Sequence, residues 1–273
     1  MVDVGLVLGG GGARGYAHIG VLKALEERGV RPVAVAGCSM GGIVGALHGS
    51  GVDADAMLER ARDFRFTELL DIGDSEALNR GKNLSRALER YLPATFEELR
   101  VPLKITACDI QQGVQVVFDD GDLRSAVRAS ISLPGVFPPA RVGDRVLLDG
   151  GLVNNLPVDI IRAMTHEPVI AVDVAAPPDR KLDFEDHGSW WESFTRRTFH
   201  RPLILEIVMK AYDIPQRLLT DARVALNPPD IFVRPPIHPE IRVESFDEWQ
   251  QPYEAGYEAM HVALEEHGGR IGL

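Results

Sequence analysis

A serine set between glycines, Gly37-Cys38-Ser39-Met40-Gly41, separates an apolar run, Val33-Ala34-Val35-Ala36, from a stretch of small residues, Gly42 to His48. A strand, a Gly-x-Ser-x-Gly turn and a helix in that order form a nucleophile elbow. The turn is sharp, and Gly37 and Gly41 leave room where side chains would clash. The serine is thrust out at a helix N-terminus, where backbone N–H groups point outward. Ser39 therefore reads as an attacking hydroxyl for acyl transfer. The structural alternative is a small-residue turn that lets a helix pack close to a sheet, and the motif alone does not separate the two.

A second glycine-rich stretch, Gly9-Gly10-Gly11-Gly12-Ala13-Arg14-Gly15, follows the apolar run Val4 to Leu8 and opens a helix. Gly10-x-Gly12-x-x-Gly15 has the spacing of a dinucleotide fingerprint. That reading needs an acid at the end of the next strand to hold a ribose. Here the next strand runs into Gly37-Cys38-Ser39, with no acid, and no Gly-Lys-Ser/Thr follows the loop for a P-loop. The other reading makes the loop an oxyanion hole, in which two of its unobstructed amides beside the serine hold the negative oxygen of a tetrahedral intermediate. Arg14 reads either as a fixed charge or loop-holding group, or as a surface residue at a helix start.

An elbow serine needs a base, and the usual order places an acid and then a histidine after it. Of the eight histidines, none sits in a small-residue loop after a late strand, and His238, in a proline-rich stretch, is the best triad candidate of a poor set. Asp149-Gly150-Gly151 offers another answer. An acid ends the apolar run Arg145 to Leu148, and two glycines permit close backbone approach. A desolvated carboxylate gains the basicity to accept a serine proton. The competing reading is an ordinary Asp-Gly turn.

The elements that must position these groups are strands alternating with helices. Val4–Leu8, Val33–Cys38, Leu103–Cys108 and Val169–Val174 are continuously apolar, as buried parallel strands are. A helix from about Tyr16 to Arg28 ends at Gly29, and together with the first two strands it forms a crossover typical of an α/β sheet. Asp53–Phe66, Leu84–Leu92 and Asp122–Ser130 read as helices, Val114–Phe118 as a strand, and Leu133–Pro139 as irregular, because its prolines bar a helix or central strand. Ile231–Val233 is a short late strand and Phe246–Glu266 a closing helix.

The 273 residues suit a single domain, 1–273, and the composition, 45% hydrophobic and 25% charged, is that of an ordinary globular chain. A net charge of −11 with no basic cluster excludes nucleic acid as a partner and argues against simple electrostatic adhesion to anionic membranes. The two cysteines, Cys38 and Cys108, form no disulfide framework, and no signal-type run opens the chain, so the expectation is cytoplasmic, with peripheral contact at the inner membrane left open. The segment at about 186–220 mixes Trp190, Trp191, Phe194 and Phe199 with Arg196, Arg197 and Arg201, and is a candidate lid or interfacial helix.

Taken together, Gly10–Gly15, Gly37–Gly41, Asp149–Gly151 and the proline-containing stretch Ala129–Pro139, in this order and spacing, resemble the patatin-like phospholipases, over about residues 4 to 175 and most of all their small bacterial members. The resemblance implies a three-layer α/β/α fold with a mainly parallel central sheet. It implies a Ser39–Asp149 dyad without histidine, and an oxyanion hole at Gly10, Gly11 and Gly12 with Arg14 in the same motif. No metal or cofactor is implied, and the substrate is a lipid or small carboxylic ester cleaved through an acyl-enzyme. Cys38 departs from the pattern, since many members carry threonine there. The alternative function is a non-catalytic regulatory or nucleotide-binding α/β protein using the glycine loop. Neither the residues nor the resemblance sets an oligomeric state.

Overall fold

A computed structural model describes residues 1–63, 82–176 and 203–273. The chain runs β1 (Val2–Leu8), α1 (Tyr16–Glu27), β2 (Val30–Cys38), α2 (Met40–Gly49), α3 (Ala54–Asp63), α4 (Lys82–Tyr91), β3 (Leu103–Asp109), β4 (Val114–Phe118), α5 (Leu123–Ser130), β5 (Ala140–Val142), β6 (Arg145–Asp149), α6 (Val158–Met164), β7 (Val169–Val172), α7 (Leu203–Leu226), β8 (Ile231–Val233) and α8 (Gln250–His267). The strands form one sheet in the order β5-β6-β3-β2-β1-β7-β8, with β4 on β3 as a branch. The pairs β3·β2, β2·β1, β1·β7 and β7·β8 are parallel, whereas β4, β5 and β6 run antiparallel to their partners.

Both faces of the parallel part are covered, which is why its strands read as unbroken apolar runs. Alternate residues of β1 point to opposite faces. Val4, Leu6 and Leu8 join a core with α1, α2 and α8, while Val7 joins a second core with Leu156, Val158 and Ile161 around α6. The molecule is thus a three-layer α/β/α sandwich with a mainly parallel sheet, as the resemblance implied.

Several boundaries differ from the sequence expectation for physical reasons. β2 begins at Val30, not Val33, and passes through Pro32. The register of β1 against β2 shifts between Val4 and Gly5, opposite Pro32 and Ala34, so a bulge absorbs the missing N–H. The closing helix begins at Gln250; Phe246 belongs to the preceding turn and packs edge-on against Tyr16 at 5.7 Å. β5 and α6 were not anticipated: each is too short for its periodicity to stand out. Of the candidate lid, residues 186–202, including Trp190, Trp191, Phe194, Phe199, Arg196, Arg197 and Arg201, lie outside the described residues, whereas residues 203–220 belong to α7. No helix among the described residues is long and apolar enough to cross a membrane.

Candidate active site

The site assembles where two strands meet end to end. Residues 105–106 of β3 pair with β4 on one edge and with β2 on the other, and residues 107–109 pair with β4 and β6. β2 and β6 must therefore share one edge of β3, approaching from opposite directions. Cys38 is opposite Thr106 and Asp149 is opposite the next residue, Ala107. The last residue of each strand thus arrives beside the other, and Ser39 and Asp149 are brought together although 110 positions separate them.

Ser39 is the only non-glycine residue with positive φ among those described (φ 51°, ψ −121°), a conformation that costs an ordinary side chain about 1–3 kcal/mol. Its carbonyl accepts from the amides of Gly42 (2.9 Å) and Ile43 (3.2 Å), starting α2, and its own N–H donates to Ser130 Oγ at 2.7 Å. Gly37 and Gly41 make the turn possible. A methyl group on Gly41 would run into the Leu8 carbonyl, and one on Gly37 would lie 2.6 Å from the Gly41 carbonyl.

Asp149 is 2% exposed, and burial pushes its carboxyl pKa up. Hydrogen bonds pull the other way, from the Gly151 amide first and then from Ser39, Tyr212 and Cys38. The Gly151 N–H donates to Oδ1 at 2.8 Å, the Tyr212 hydroxyl at 3.0 Å and the Cys38 thiol at 3.8 Å. All of these donors are neutral. Desolvation, with the charge of Asp149 beside it, raises the Cys38 thiol well above its usual value, so the residue that stands in the threonine position acts as a weak neutral donor.

The glycine loop lies beside the serine, and a methyl on Gly10 would sit 3.1 Å from Ser39 Cβ. The Gly10 amide is engaged by Asn155, donating to its carbonyl at 3.3 Å and to its Oδ1 at 3.2 Å, while Asn155 Nδ2 donates back to the Gly10 carbonyl at 3.2 Å. Among the described residues, the amides of Gly11 and Gly12 make no hydrogen bond, and both residues line the cavity. Of the two readings of Arg14, the surface one does not hold. It is 2% exposed and donates to the carbonyls of Val174 (3.0 Å) and Ile241 (3.4 Å), tying the loop to the ends of neighbouring segments.

Ser39, Asp149, Gly10, Gly11, Gly12 and Arg14 border one cavity of about 180 Å³. From Ser39 it runs between α2, α3 and α4, past Val44, Leu47, Met57, Leu84, Leu88 and Phe137. No histidine lines it among the described residues. His18 is fully buried, with its pKa lowered to about 4 by desolvation, and contacts the Gly9 carbonyl at 2.8 Å. His238 is an exposed residue beside Glu240. No group of metal-ligating side chains occurs among the described residues.

Sequence reasoning missed Asn155, Ser130 and Tyr212. Asn155 follows the Asp-Gly-Gly turn closely enough to have been suspected, since a polar residue in an apolar context commonly satisfies a nearby backbone. Tyr212 gave no signal, because only folding brings α7 to the turn.

A model of the patatin-like phospholipase family matches residues 6–162. An uncharacterized NTE family protein of Mycobacterium tuberculosis is 39% identical over 202 residues, covering 71% of this chain and 56% of the relative. The lysophospholipase NTE1 of Saccharomyces cerevisiae is 30% identical over 279 residues, covering 96% of this chain and 16% of the yeast protein. The chain thus spans about half the length of the first relative and a small part of the second. The crystal structure of VipD from Legionella pneumophila superposes with a TM-score of 0.56 at 15% identity, covering 97% of this chain and 67% of that one, a likeness of fold. With the family model matching more than half of it, the chain belongs to the patatin-like phospholipase family.

Proposed function

We propose that the chain is a lipid acyl hydrolase that cleaves carboxylic esters with a Ser39–Asp149 dyad. The observation that carries the reading is the pairing of a serine in a strained elbow with a carboxylate, raised in pKa by burial, at the end of an apolar cavity. Asp149 takes the Ser39 proton as Oγ attacks the ester carbonyl. The amides of Gly11 and Gly12 receive the negative oxygen, and removing one such donor typically costs ~3–4 kcal/mol of barrier. The carbon–oxygen bond to the alcohol breaks, and Asp149 returns the proton to the leaving oxygen. Water then gives a proton to Asp149 and attacks the acyl carbon, and Ser39 leaves with that proton restored.

The cavity suits an acyl chain, because its walls beyond Ser39 are aliphatic and aromatic. A relative named as a lysophospholipase supports a phospholipid-derived ester as substrate. The reading needs no metal or organic cofactor at any step.

A fluorophosphonate probe tests it. Labelling is expected on Ser39, to be lost in Ser39→Ala. If Ser39→Ala still hydrolyses a short-chain nitrophenyl ester at the native rate, the serine assignment fails.

A further inference from the structure

Helix α7 reaches the proposed dyad from outside the sheet through one side chain. The Tyr212 hydroxyl donates to Asp149 Oδ1 at 3.0 Å, the same oxygen that accepts from the Gly151 amide at 2.8 Å. That oxygen is thereby committed to fixed donors. The turn is shaped for this approach, since a methyl on Gly151 would collide with the Tyr212 hydroxyl and with Gln216 Nε2. α7 is anchored on the same side. Gln216 and Thr220 are buried, Arg217 donates to the Ala176 carbonyl at 3.3 Å, and Arg223 pairs with Asp159 at 3.3 Å.

We propose that Tyr212 is a positioning residue of the reaction, its hydroxyl holding one oxygen of Asp149 so that the other is presented to Ser39, and thereby tying the base to α7. The inference rests on the dyad reading. It gives an otherwise unexplained half-buried phenol a role, and it makes the seating of α7 a condition of catalysis. Burial, followed by the charge of Asp149, raises the phenol well above its ordinary value, so Tyr212 stays a donor across the working range. Among the described residues, the other titratable groups around the carboxylate are Cys38 from β2, Cys108 from β3 and Asp213 from α7, and the cavity adds Arg14, Tyr16, Arg60, Tyr91 and Glu244.

A hydrogen bond donated to the ionised form holds a carboxyl pKa down, and Tyr212 acts in that direction on Asp149. Removing the donor must raise the pKa, and a base with a higher pKa is protonated over more of the acid range. Tyr212→Phe is therefore expected to move the acid limb of the kcat/KM profile for a nitrophenyl ester upward by about one pH unit. Below the limb, that is about a tenfold loss. Site-specific 3-fluorotyrosine at position 212 keeps the side chain's shape and donates more strongly, so the limb should move downward. A residue that only fills space would leave both profiles where they are, and unmoved limbs in both variants would overturn the proposal. Asp149→Asn keeps the two readings apart. If it is inactive while both limbs stay put, only the role of Tyr212 falls; if it retains turnover, the dyad itself falls.

Discussion

Two buried aspartates lie at strand ends in separate parts of the same sheet, and they are held in opposite ways. Asp149, at the end of β6, is surrounded by the Gly151 amide, the Tyr212 phenol and the Cys38 thiol. Asp173, just past β7 and 1% exposed, is gripped by Arg234, with Nε at 2.8 Å and Nη2 at 2.7 Å from Oδ2. Arg234 also reaches Asp221 on α7 at 2.9 Å. Among the described residues the first carboxylate has neutral donors and no paired cation, and burial raises its pKa. The second faces a guanidinium that also reaches Asp221, an ion-pair arrangement that ties the end of β7, the end of β8 and α7 together. Identical side chains at similar burial thus suit a base in one place and a structural clamp in the other. What distinguishes them is whether the partner is neutral or charged.

The strongest way to break this comparison is to remove each carboxylate's distinctive feature. Asp149→Asn keeps the shape and an acceptor oxygen but cannot take a proton. Turnover of a nitrophenyl ester is expected to fall by ~10³-fold or more with the circular dichroism unchanged, as when the essential base of a hydrolase is removed. Next in size is an attempt to turn Asp149 into a copy of Asp173. Gln216→Arg puts a guanidinium against the Gly151 turn, which should stabilise the ionised base. A loss of ~10–100-fold in kcat, with the acid limb moving down, is expected; an unchanged limb would mean that a cation there does not govern the base.

Arg234→Gln probes the other site. It strips Asp173 of its charged partner, and a stability loss of about 2 kcal/mol, read as a Tm lower by ~4–8 °C, should accompany turnover within about twofold of wild type. A large loss of turnover at normal Tm would place Asp173 in the chemistry and erase the contrast.

The smallest expected effect concerns pH and stability together. The folded-state pKa of Asp149 is raised, so its contribution to stability is present at low pH and is lost as pH rises through that pKa. On the proposed dyad, activity has the reverse sign, since a general base works only when deprotonated. The acid limb of kcat/KM should lie above the usual carboxylate range. Asp149→Asn should gain Tm relative to wild type between pH 4 and pH 7, and a gap that narrows over this interval would contradict the direction of the shift.

Legibility from sequence varied with how local each feature was. The elbow was readable, because Ser39, its two glycines and the flanking strand and helix lie within a few residues and each type has a local reason to be there. The central strands β1, β2, β3 and β7 were readable because burial on both faces demands unbroken apolar runs. The boundary at Val30 was not, because only the pairing partner shows that a bulge tolerates Pro32. The glycine loop was legible as a loop of free amides, yet which amides remain free depended on Asn155, far along the chain.

By itself, the amino-acid sequence determined the local geometries of this protein: a serine that must turn sharply, a glycine run open to close approach, an acid followed by two glycines, and strands meant for a covered sheet. These follow from propensities and steric limits that act over a few residues. Only the tertiary structure decided that β2 and β6 meet along one edge of β3, that Asn155 engages the Gly10 amide, and that Tyr212 descends on Asp149. Those outcomes depend on strand order and on contacts between distant segments. The basicity of a carboxylate depends on them too, because desolvation and neighbouring charge are properties of a place in the fold.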